Sequence, residues 1–347
     1  MDISKIDVNF KVETQIEKED IKFYSVEEKP FKIHGVYKED GKYRRMPEAV
    51  AETVSPRVHI LSTNTAGGRV RFATDSSYVA ISAKSQGFYK TSHGTFINNC
   101  GFDLYADNRF VRSFIPPVDI VDGYESVLEL GGERKMREIT IDFPSFSNVI
   151  DLYVGLQEDA VIEEASPYKN EKPIVYYGSS ITHGGCASRP GMSYEAIIAR
   201  ELNYDYINLG FSGNAKAEVE IADYIAGLDM SLFVYDYDHN APSVEHLRET
   251  HERLFKKVRE KHPELPIIIM PRPKYYLNEE EIVKRDIIKA TYENAVASGD
   301  KNVYYIDGKE LTALCKDNGT VDGTHPTDFG FFSMATAIMK VLETIEI

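Results

Sequence analysis

The sequence predicts an all-β sandwich domain followed by an α/β domain with a five-stranded parallel sheet, and three observations predict it. Up to about residue 165 the chain runs in short stretches with a period of two. Beyond that, five short apolar runs each lead into a helical pattern. Between the two regimes lies the polar segment Glu163 to Lys172, which reads as a domain boundary. The expected domains are residues 1–168 and 169–347.

The first domain follows from alternation. In "GRVRFATDSSYVAISAKS", Val70 and Phe72 face one way and Arg69 and Arg71 the other; Val79, Ile81 and Ala83 repeat the period. "GFDLYADNRFVRSF" reads as a hairpin, with Asp107-Asn108 suited to a tight turn at positive φ. "REITIDF" and "VIDLYVGL" add strands, and no helix is expected before about residue 190. Many short strands with few helices make a sandwich.

The second domain follows from strands too uniformly apolar to have a wet face. "IVYYG" is the first, followed by a helix over Tyr194 to Leu202. "YINLG" precedes a helix over Ala217 to Ala226, and "LFVYDYD" precedes a longer one from about Ser243. In that helix Val244, Leu247, His251, Leu254 and Val258 share a face. "PIIIM" leads to a helix from about Asn278 to Val296, and "VYYID" to a last one from about Asp328 to Leu342. Strands buried on both sides and alternating with helices make a parallel sheet covered on both faces.

Composition narrows the partners. With 347 residues and 42% hydrophobic content the chain can fill two cores. A formal charge of -15 repels phosphate backbones and anionic lipid, so neither nucleic acid nor membrane is an expected partner. Cys100, Cys186 and Cys315 form no CxxC pair, which fits a reducing compartment. The start, "MDISKIDVNFKVE", has no apolar stretch of the signal-peptide kind, so a cytoplasmic location is expected.

In an open parallel sheet, sites form beyond the carboxyl ends of the strands. The first strand ends in Gly178, Ser179, Ser180 and Thr182; the second in "GFSGNA". The third ends in "DYDHNAP", and a loop past the fifth carries "DGTHPTDFG". A hydroxyl, an imidazole, a carboxylate and oxyanion donors, the parts of acyl transfer, are thus delivered to one edge. Ser180 is a weak nucleophile unless a base takes its proton. His325 can be that base, and Asp322, three residues earlier, can fix its tautomer. The Gly213 N–H can approach a reacting oxygen closely. The Asn240 amide and the Ser180 N–H offer two more donors.

These four blocks resemble the SGNH hydrolase (GDSL-type esterase) superfamily, whose blocks supply Ser, Gly, Asn and an Asp-x-x-His pair in that order. They match Ser180, Gly213, Asn240, and Asp322 with His325. "YGSSITHGGCASRPGMSY" and "GFDLY" resemble a narrower branch with an N-terminal β-sandwich carrying a GxDLY motif. The resemblance implies a flavodoxin-like three-layer α/β/α hydrolase domain behind a jelly-roll-like sandwich. Two departures stand out. Ser179 replaces the usual acid before the nucleophile, and Ala241 replaces the acid after Asn240.

Further candidates are weighed against plainer roles. Ser179, His183, Arg189 and His239 are candidate substrate contacts; Ser179, His183 and His239 read more readily as loop residues, and Arg189 equally as a structural ion pair. Cys186 reads as an inert thiol, and Asp103 as a structural residue of the hairpin or domain junction. Tyr275 and Tyr276 read more readily as packing than as a sugar platform. No His, Cys or carboxylate set stands at ligand spacing, so neither metal nor cofactor is expected. The expected function is a serine esterase that removes small acyl groups, acetyl foremost, from oligosaccharides through an acyl-enzyme. The alternatives are a carbohydrate-binding protein with a vestigial hydrolase domain, and a short-chain esterase on non-sugar esters. A homo-oligomer is compatible with either.

Overall fold

The computed structural model describes residues 3–170 and 172–345. Glu171, in the expected boundary segment, lies outside the described residues, as do Met1, Asp2, Glu346 and Ile347. The N-terminal domain is built on two antiparallel sheets. One joins Ile21–Ser25, Asn148–Gln157, Tyr78–Gln86 and Gly123–Glu129 in that spatial order. The other runs Ile162–Glu163, Arg69–Thr74, Arg137–Asp142, Phe102–Ala106, Arg109–Phe114, with Lys32–His34 also paired to Arg69–Thr74. Val70, Phe72, Val79, Ile81, Leu104 and Ile139 fill the core between them. The hairpin turn at Asp107-Asn108 has positive φ at both residues.

The alternation in "RVRF" has a consequence the sequence does not show. Arg69 and Arg71 do turn away from the core, yet both are buried. Their face is covered by the second domain, where Arg69 pairs with Asp205 and donates to Tyr206 O (3.2 Å).

Helices do occur before residue 190, contrary to expectation: Glu48–Val54, Pro56–Leu61 and Phe96–Cys100. Each is two turns or less, too short for periodicity to register. The first two rest on tertiary packing. Met46, Ala51, Val54 and Val58 join the core of the second domain, against the helix Val219–Ala226. Ser55 and Thr95 cap two of the three by accepting from Val58 N and Asn98 N.

The second domain has a five-stranded parallel sheet: Ile174–Gly178, Tyr206–Gly210, Leu232–Asp236, Ile267–Ile269 and Val303–Tyr305. Numbered by sequence, their spatial order is 2-1-3-4-5, the flavodoxin-like arrangement. Helices Val219–Ala226, Val244–Lys261 and Glu279–Ala297 pack on one face; Tyr194–Leu202 and Asp328–Leu342 pack on the other. Both faces of the first and third strands are buried throughout. The chain order reverses beside the first strand, so its end is where a crevice opens.

Candidate active site

At the end of the first strand the chain must turn sharply under crowding. A Cβ on Gly178 would collide with Asp236 Oδ1 and Thr182 Oγ1, so glycine is the residue the space admits. Thr182 Oγ1 donates to Asp236 Oδ1 (2.5 Å), and Ser179 Oγ accepts from Ile181 N (3.2 Å). Burial, with the nearby Asp238 charge, pushes the Asp236 carboxyl up to about 8 despite the Thr182 and Ser179 donors. This turn presents Ser180.

Ser180 Oγ lies 2.8 Å from His325 Nε2. His325 Nδ1 lies 2.8 Å from Asp322 Oδ2. Asp322 Oδ1 accepts from His325 N (2.8 Å) and Thr324 N (3.0 Å), which closes the loop on itself. Burial alone would raise the Asp322 carboxyl; these donors and the imidazole outweigh it and hold the group at about 2. An ionised carboxylate can only accept, so His325 Nδ1 carries the proton and Nε2 is left to accept from Ser180.

Gly213 stands at φ +70, with nothing within 4 Å of where a Cβ would sit. Asn240 Oδ1 accepts from Ala215 N (3.2 Å), so the carbonyl end of its amide is used and the N–H donors remain. Ser180, Gly213, Asn240, Asp322 and His325 all line one cavity of about 480 Å³.

The same cavity receives His239 and Cys186. His239 Nε2 is buried without a partner among the described residues. Burial, with Arg272 and His325 adding to it against Asp238, pushes this imidazole down to about 4, so it is neutral. Cys186, at φ +72, is a half-buried wall residue rather than a buried one. Burial and the Asp322 charge push its thiol up to about 11, which keeps it protonated.

Ser179, His183 and Arg189 are not among the residues that line this cavity, and each is engaged elsewhere. Ser179 is buried and spent on the turn. His183 is buried with both ring nitrogens engaged by Ser145 and Ser212. Arg189 donates to Asp103 Oδ2 (2.7 Å) and lies 3.7 Å from the Phe110 ring centroid. Asp103 also accepts from Gly191 N (2.9 Å) and Ser113 Oγ (2.6 Å), so the GxDLY acid ties the two domains together. Tyr276 is exposed and, with Tyr275, outside the cavity wall.

Another wall of the cavity comes from segments with no site motif in the sequence. Thr91, His93, Gly94, Asn99 and Phe146 of the N-terminal domain line the same cavity as Ser180 and His325. The one available signal was a histidine in a run of small polar residues, "KTSHGT". Among the described residues, Glu48, Glu52 and His59 stand close enough to share an ion, but Glu48 is already held by Arg44 and His59.

Residues 171–343 match the GDSL-like lipase/acylhydrolase family, and residues 21–162 match the GxDLY family, the N-terminus of SGNH-hydrolase-type esterases. No curated protein matches the chain. Among solved structures, one from Bacteroides ovatus described as a GDSL-like lipase is 31% identical. It covers 93% of this chain and 98% of its own, with a TM-score of 0.81. The salicylyl-acyltransferase SsfX3 of a tetracycline biosynthetic pathway is 20% identical over 95% of this chain and 99% of its own, TM-score 0.76. An acetyl xylan esterase from Butyrivibrio proteoclasticus is 13% identical over 93% and 98%, TM-score 0.60. The last two likenesses are of fold. The chain belongs to the GDSL-like lipase/acylhydrolase family, as a carboxylic ester hydrolase of the SGNH type preceded by a GxDLY domain.

Proposed function

We propose that the protein is a serine esterase that removes short acyl groups, acetyl foremost, from oligosaccharides. Ser180 Oγ attacks the ester carbonyl while His325 Nε2 takes its proton. The oxyanion is received by the N–H groups of Ser180 and Gly213 and by the Asn240 amide. His325 then gives the proton to the departing sugar oxygen, leaving an acyl-enzyme. Water enters, loses a proton to the same nitrogen, and frees the acid as Ser180 regains its hydrogen. Asp322, fixed by two backbone donors, holds the imidazole's tautomer and stabilises the cation that forms.

The observation that carries this reading is the unbroken Ser180–His325–Asp322 chain, 2.8 Å at each step, opening on the cavity. It also weighs against the reading as a binding protein with a vestigial hydrolase domain, since a decayed site has no reason to keep both contacts. Support for a sugar comes from the polar wall of Thr91, His93 and Asn99, which offers hydrogen bonds to hydroxyls. Relatives of this fold include a family two carbohydrate esterase and an acetyl xylan esterase. The test is a panel of acetylated oligosaccharides against p-nitrophenyl esters of rising chain length, with Ser180→Ala as control. Preference for acetate and loss of turnover in the variant are expected; preference for long acyl chains, or an active variant, overturns the proposal.

A further inference from the structure

We infer that His183 is a positioning residue: through it the N-terminal domain holds the Ser212–Gly213 turn at its working distance from Ser180. This rests on the esterase reading above and adds a role that the four sequence blocks do not contain.

The partners of His183 fix its tautomer. His183 Nε2 lies 3.0 Å from the backbone oxygen of Ser145, an atom that can only accept, so Nε2 carries the hydrogen. In a neutral ring Nδ1 is then bare. It accepts from Ser212 Oγ (3.2 Å) and from Ser212 N (3.4 Å), one residue before Gly213. Neutrality is enforced: the ring is fully buried, and burial together with the Arg45 charge drives its basicity well below the ordinary value. Phe146 fixes the ring plane by stacking on it at 4.2 Å and 17°.

The other end of the residue belongs to the nucleophile's turn. His183 N donates to Ser179 O (3.0 Å), which closes the loop that presents Ser180. One side chain therefore touches the N-terminal domain and the oxyanion turn, while its own backbone belongs to the nucleophile turn. A second contact braces the same strand end. Arg45 of the N-terminal domain donates to Gly210 O (2.7 Å) and Asn208 Oδ1 (3.2 Å), and Asn208 Nδ2 donates to Thr182 O (2.5 Å). Gly210 packs directly on this turn: a Cβ there would run into His183 N and the Thr182 carbonyl carbon.

His183→Phe keeps a ring to stack on Phe146 and removes both polar links. Its kcat on p-nitrophenyl acetate is expected to fall about 10²-fold, the effect of displacing a donor by a fraction of its working distance, with KM within about threefold. Affinity for a boronic acid, which mimics the oxyanion, should fall in the same proportion. His183→Asn, which keeps an acceptor near the Nδ1 position but loses the Ser145 link, should recover only part of the loss and serves if the Phe variant does not fold; full recovery overturns the role of the N-terminal domain. A folded Phe variant with wild-type kcat, or a loss confined to KM, overturns the inference. Amide exchange at Gly213 reads the link without turnover. At least tenfold faster exchange is expected in the variant, and an unchanged rate overturns the role even if the wild type proves to hydrolyse no ester.

Discussion

Ser180 Oγ and His325 Nε2 are 2.8 Å apart although 145 residues of chain separate them. The first stands on a turn that glycine alone permits; the second stands on a loop tied by its own aspartate. Both segments are short and tied by their own hydrogen bonds, and the contact stands in place without substrate, which is what makes a hydroxyl usable as a nucleophile.

Asp322→Asn tests the orienting role. Two backbone N–H groups still find the amide oxygen, so the loop should persist, but the side-chain end facing His325 Nδ1 would become a donor. The imidazole would be turned to the wrong tautomer. A drop in kcat on the order of 10³- to 10⁴-fold is expected. Tm should stay within a few degrees of wild type; a steady-state assay beside a melting curve checks both.

Asn240→Asp separates the two ends of that amide. The carboxylate keeps an acceptor for Ala215 N while losing the N–H donors and setting a like charge beside the oxyanion. A loss in kcat of at least 10²- to 10³-fold is expected, the size seen when one such donor is removed. Full activity in the variant would take Asn240 out of the oxyanion site.

Asp236 makes stability depend on pH in a stated direction. Its folded value, about 8, lies above the ordinary 3.8, so between these limits the folded state binds the extra proton. Its contribution is therefore whole below about 4 and is lost as pH rises through about 8. Urea midpoints from pH 4 to 9 should fall more steeply for wild type than for Asp236→Asn. Parallel curves would show that Asp236 is already charged in the native protein.

Cys186 shares the cavity with Ser180 yet should be slow to react. With the thiol held at about 11, iodoacetamide at pH 7.5 should label it on the order of a hundredfold more slowly than a free cysteine. Cys186→Ser should retain wild-type turnover. Rapid labelling with parallel loss of activity would contradict both expectations.

The parts of the protein that were legible from sequence are those written in contiguous stretches. The first three strands of the parallel sheet each run straight into a site residue, so a run such as "IVYYGSS" holds both scaffold and chemistry, while "DGTHP" keeps its carboxylate and imidazole within one short loop. What was not legible depends on docking. His183 reads as a polar loop residue because its Ser145 partner comes from the other domain. Arg189 looks like a substrate clamp until Asp103, 86 residues away, claims it. Thr91, His93 and Phe146 enter the wall only because one domain is laid on the other. The helices over residues 48–61 escaped because their stability comes from the core they cover rather than from their own pattern.

Arg45 carries a further meaning. This buried cation donates to five oxygens: Leu61 and Asn64 supply one each from its own domain, while Gly210 supplies one and Asn208 two from the other. Cut at the boundary, the guanidinium would lose three of these acceptors, and the strand end beside Ser212 would lose its brace. The two halves are therefore poor currency for modular shuffling. A foreign sandwich grafted onto this hydrolase would have to reproduce that arginine and its angle of approach to restore the three contacts.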